Sequence, residues 1–170
     1  SRAVPEAFGT VREQLGAPGG GAKIGVPRMT HFVDLNRARP DDKSIQAVGF
    51  AINPQIHAFD NASMIETLPI HADAVNSTRQ FVPDLPLIIG PLTLAPQFVG
   101  GPLPTCIDGR QVQPFAAAWT LGSVKYLSQA GANSATFFET IGWAGIMDAD
   151  DVAARPKEFP SQPGNVFPVY

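Results

Sequence analysis

The chain has 170 residues, 44% hydrophobic and 16% charged, enough for one globular domain with a substantial core. A formal net charge of -3 without a run of Lys or Arg argues against nucleic acid, and no apolar run nears the roughly 20 residues of a membrane span. The lone Cys106 rules out an internal disulfide and favours a reducing, cytoplasmic setting, while 17 Pro and 16 Gly imply many short loops.

Residues 5–15 place Phe8, Val11 and Leu15 on one helical face, with Glu6 where the helix dipole favours a negative charge, and the glycine-rich stretch 16–21 ends that helix. Residues 23–26 read as a short buried strand, followed over 29–39 by a polar excursion holding His31, Asp34, Asn36 and Arg37. After a connector at 40–44, residues 45–52 supply a second strand. It runs into a polar cluster of Asn53, Gln55, His57 and Asp60.

Ser63 and Glu66 have capping-box spacing, and Ile65, Leu68, Ala72 and Val75 recur at helical intervals toward Phe81, with Pro69 expected to kink the helix. Residues 85–94 are so continuously apolar that helices are expected on both faces of a third strand. The Gly- and Pro-rich loop over 97–113 is long enough to suggest a functional role. Pro114 then suits a first helical position, Phe115, Trp119, Gly122 and Tyr126 mark the helix, and Gly131 suits its C-terminal cap. Residues 134–138 form a fourth strand that delivers Glu139 and then Trp143.

This alternation of helix and strand predicts a parallel sheet with right-handed crossovers. No glycine fingerprint for a dinucleotide follows the first strand, since Gly19, Gly20 and Gly21 precede it. Polar residues at the strand ends fit the rim of a barrel, whose complete form needs about 250 residues. The expected fold is therefore α/β, a partial (β/α)8 TIM barrel of about four parallel strand and helix units. Residues 1–147 make the half barrel, and 148–170 an acidic, Pro-rich segment leading toward a final helix. Open strand edges call for self-association or for the other half barrel.

His57 is the first candidate for chemistry, because imidazole exchanges a proton near neutral pH and Asp60 and Gln55 are near enough in sequence to orient it. A structural His bonded to backbone is the bland alternative. Glu139 is the second: a carboxylate directly after a strand reaches the same rim, though a solvated or ion-paired Glu fits as well. Asp34, Asn36 and Arg37 suit the binding of hydroxyl or carboxylate oxygens, and an Asp34–Arg37 ion pair explains them equally. His71 falls inside the expected helix and reads as a surface residue. His31, His57 and a carboxylate lack a recognised zinc spacing, so no metal and no cofactor are expected. Neither a Gly-x-Ser-x-Gly elbow nor a base near Cys106 supports a nucleophile.

Taken together, residues 53–60, 32–37 (Phe-Val-Asp-Leu-Asn-Arg), 90–94 (Gly-Pro-Leu-Thr-Leu), 118–126 and 138–143 (Phe-Glu-Thr-Ile-Gly-Trp) resemble bacterial D-apionate lactonase-like proteins, related in architecture to barrel glycoside hydrolases. The resemblance implies a hydrolase that opens the lactone of a branched sugar acid in apiose breakdown. On that reading His57 and Glu139 are catalytic, and Asn36, Arg37, Asn53, Gln55, Asp60 and Trp143 bind the sugar-acid lactone. Cleavage of a glycosidic bond, with two carboxylates flanking it, and a noncatalytic sugar-binding fragment are the alternatives.

Overall fold

The computed structural model describes residues 25–41, 43–95, 108–137, 139–149 and 159–170, with the backbone alone for 26–30. The helix expected over 5–15, Cys106 and most of the loop expected over 97–113 lie outside the described residues. Four strands, β1 (Gly25–His31), β2 (Ala47–Ile52), β3 (Leu87–Leu92) and β4 (Ser134–Ala135), form one parallel sheet in the order β1-β2-β3-β4. Strand order that follows chain order without reversal is what a barrel wall requires, whereas a doubly wound sheet reverses at its centre. The fold is a partial α/β barrel.

The first unit departs from expectation. Where a strand over 23–26 was expected, β1 is described over 25–31 and so runs on past 26, and the polar excursion contains helix α1 (Phe32–Arg37), so the chain turns back directly after His31. Pairing with β2 explains the extension, since backbone partners run from Gly25 opposite Ala47 to His31 opposite Ala51, with one irregularity after Arg28.

Pro69 acts as its sequence position predicts, dividing the second helical stretch into α2 (Asn61–Glu66) and α3 (Ile70–Arg79). The cap differs from the expected box. Asp60, not Ser63, caps α2: its carboxylate accepts the Ser63 amide at 2.9 Å and the Ser63 hydroxyl at 2.7 Å. The cap therefore falls three residues earlier than expected. Helix α4 (Pro114–Gln129) opens with Pro114 and ends at Gly131, whose φ of +82° suits a residue without a Cβ. The amide of Gly131 donates to the Ser128 carbonyl and that of Ala132 to the Leu127 carbonyl, the two bonds of a Schellman cap.

The core lies between the sheet and these helices. Val48, Phe50, Leu87 and Ile89 meet Met64, Leu68, Val75, Ala116, Trp119 and Leu127 there, each essentially inaccessible except Leu68. Burying one such large side chain contributes about 1.5–3 kcal/mol, so this layer holds the sheet to its helices. Gly122 lets α4 approach closely, because a Cβ there would lie 2.6 Å from Leu68 Cδ1. Among the described residues, helices cover one face of β3 and not both. Leu87 and Ile89 are fully buried while Ile88 is 44% exposed, the alternation of a strand covered by helices on one face.

β4 is shorter than expected, but its hydrogen bonding runs on through Thr136, which donates to Ile89 and accepts from Leu92. Residues 159–170 fold back on the loop after β4. Met147 bridges Val166, the Asp148 amide donates to Asn165, and Phe159 packs edge-on against Phe167, both buried.

Candidate active site at the strand ends

The C-terminal ends of the strands present His31 from β1, the segment from Asn53 to Asp60 after β2, Thr93 to Ala95 after β3, and the loop from Glu139 after β4. Two strand-end residues are drawn inward. Asn53 is 9% exposed, and its amide nitrogen donates to the Thr93 carbonyl at 3.3 Å and to the Ala95 carbonyl at 2.5 Å, while its oxygen accepts the Gln55 amide at 2.8 Å. Gln55 is 2% exposed and donates to the Leu94 carbonyl and to Asp108. The loop after β2 is thus braced against the exit of β3.

Asp108 and Arg110 complete this brace, and sequence reasoning missed both. They form a 2.6 Å ion pair, and Arg110 also donates to Gln55 Oε1, to the Phe59 carbonyl and to Asn61 Oδ1, each at 2.9 Å. Burial pushes the Asp108 carboxyl upward, but hydrogen bonds and charge from Arg110, with a bond from Gln55, outweigh it and hold the group below the usual carboxylate range. An available signal was the Asp-x-Arg pattern at 108–110, four residues before Pro114. It stands in the loop already expected to be functional.

Between these anchors His57 is exposed, and among the described residues no hydrogen bond holds its ring. Glu139 is also exposed, its backbone amide donating to the Ala144 carbonyl at 3.1 Å. No hydrogen bond or ion pair joins the two within the described residues. Asp60 is committed as the cap of α2, and the bonds from Ser63 lower its carboxyl's pKa. Trp143 lies half-buried in the loop after β4, its indole nitrogen enclosed without a partner among the described residues. That loop is tied to the brace through Gln111, which donates to the Gly145 carbonyl at 2.7 Å.

Asn36 and Arg37 stand elsewhere. They occupy the last turn of α1, which begins right after β1 and so runs away from the strand ends. The Asn36 oxygen accepts two bonds from Arg39, whose guanidinium lies 4.7 Å from the ring of Phe81 on the connection into the start of β3. A cleft of about 300 Å³ opens at that opposite end, lined by residues such as Asp41, Lys43, Phe81 and Asp84. The structure does not bring Asn36 and Arg37 to the rim. Among the described residues, no three His, Cys, Asp or Glu side chains gather closely enough to hold a metal ion, and no helix is long and apolar enough to cross a membrane.

Residues 4–170 match the family described as D-apionate lactonase, TIM barrel domain. The chain belongs to this family. Its parallel sheet in sequential order is the matching architecture, and the family's name points to lactonase-type hydrolase chemistry. A curated D-apionate lactonase of Brucella anthropi is 32% identical over 73 residues. Those residues are 43% of this chain and 12% of that protein, so the chain matches only a small part of the relative's length.

Proposed function

We propose that the protein opens the lactone of D-apionate, a step in apiose breakdown in a bacterial cytoplasm, by attack of water at the strand-end rim. The observation that carries this reading is membership of a lactonase family over residues 4–170. The exposed His57 and Glu139, on loops after β2 and β4, supply the two groups the chemistry needs.

In this reaction His57 takes a proton from water as the oxygen attacks the lactone carbonyl. The tetrahedral intermediate then collapses, the ring C–O bond breaks, and the departing alkoxide takes back the proton that His57, or Glu139 in its place, accepted from water, leaving the open hydroxy acid. Trp143 offers an apolar wall to the sugar ring. Asn53, Gln55 and Asp60 shape the loop that carries His57. The exposed face of β3 at Ile88 is covered by further strands of an eight-membered ring, from the rest of a longer chain or from a second copy.

A glycosidic reaction would want a second rim carboxylate; of Asp34 and Asp60, Asp60 is occupied as a helix cap and Asp34 lies in the first turn of α1. His57→Ala and Glu139→Gln in the full-length protein, assayed for lactone opening, test the proposal. Unchanged turnover in both removes it.

A further inference from the structure

Arg110 stands apart from the other charged groups because its hydrogen-bonding capacity is used in full. A guanidinium has five N–H bonds in a rigid plane. Here Nε donates to Asp108 Oδ1 at 2.9 Å, Nη1 to the Phe59 carbonyl and Asn61 Oδ1 at 2.9 Å each, and Nη2 to Gln55 Oε1 at 2.9 Å and Asp108 Oδ2 at 2.6 Å. One face of the group also meets the Phe115 ring, 5.5 Å from its centroid. Nothing is left over for a substrate.

The acceptors are arranged around one residue. Gln55 precedes His57 by two positions and Phe59 follows it by two, so a single rigid fork grips the chain on both sides of the imidazole. The fork itself is anchored. Asp108 binds it in bidentate fashion, and Gln55 is fixed in turn to the Leu94 carbonyl and to Asp108. His57 is then an exposed side chain on a segment pinned at 55, 59 and 61.

We infer that Arg110 is a positioning residue, holding residues 55–61 so that the backbone carrying His57 keeps one place at the rim and its imidazole stays within reach of the reacting water. Proton transfer needs the base within hydrogen-bond reach of its proton, and a misplacement of about 1 Å can cost about a hundredfold in rate. The inference rests on the lactonase reading for the use of His57, but the clamp itself is measurable without turnover. Lysine cannot replace the fork, having three donors and no plane.

The test uses the full-length protein. Arg110→Met alone would leave the buried Asp108 unpaired and risks misfolding, so the pair Asp108→Asn with Arg110→Met removes both charges together. Hydrogen exchange is followed at the amides of Gln55 and Ser63, bonded to Asn53 and Asp60 respectively. Exchange there is expected to rise about tenfold or more while β2 stays protected. Unchanged exchange at these amides, or an equal rise in β2, overturns the inference.

Lactone opening supplies the second readout. The paired variant should lose about tenfold or more in kcat with KM nearly unchanged, and adding it to His57→Ala should lower kcat by less than about twofold further, because groups acting through one another are not additive. A loss confined to KM, or two losses that multiply, overturns the claim that Arg110 acts through His57. If His57→Ala alone leaves turnover intact, the role of His57 as base falls, and the exchange data decide the clamp by themselves.

Discussion

The imidazole of His71 meets the indole of Trp119 edge-on, with 5.9 Å between ring centroids and an interplanar angle of 84°. The sequence suggested a surface position for His71, yet in the first turn of α3 it is 5% exposed, and burial alone pushes its pKa from 6.5 down to about 4. The folded protein therefore holds this ring neutral across a range where the unfolded chain takes up a proton. Its contribution to stability is complete above about pH 6.5 and is lost as pH falls through about 4, a change of up to about 3 kcal/mol. Urea midpoints at pH 7 and pH 4.5 check this: His71→Leu should flatten the acid side of the curve, and parallel curves would contradict it.

At the other end of the sheet Arg79 joins two connections. It donates to the carbonyls of Pro83 and Leu85 before β3 and to the Gly131 carbonyl and Asn133 Oδ1 before β4, and that same Asn133 oxygen accepts the Leu87 amide. Arg79→Met strips these acceptors of a shared donor and should lower stability by about 1–2 kcal/mol. A shift in denaturant midpoint at constant slope is the expected signature.

Two glycines should respond to alanine in different ways. At Gly49 a Cβ would sit 2.5 Å from the Ile88 carbonyl oxygen, so β2 and β3 must part, at a cost of about 3 kcal/mol. Gly131 has open space around it and only its φ of +82° to lose, so alanine there should cost about 1 kcal/mol. Thermal unfolding of both variants gives the comparison, and equal destabilisation would contradict the packing account.

Local punctuation made much of the fold legible. Pro69, Pro114 and Gly131 each act on the backbone through their own covalent geometry, so their effects survive in the folded chain. Competing local signals misled elsewhere: Asp60 and Ser63 are both good caps, and only the start of the helix decides between them. The apolar run of β3 could not reveal its open face, because burial depends on what packs there, not on composition. The brace at the rim was hidden for another reason. Gln55 meets Asp108 and Arg110 across more than fifty positions, a pairing that no local pattern encodes.

Turnover of the lactone of D-apionate by the full-length protein, followed as release of acid, tests the central claim most directly. Hydrolysis well above the uncatalysed rate is predicted, falling about 10²- to 10⁴-fold in His57→Ala, the range for loss of a general base. A protein that binds the lactone without opening it, or a His57→Ala variant as fast as the parent, would contradict the account.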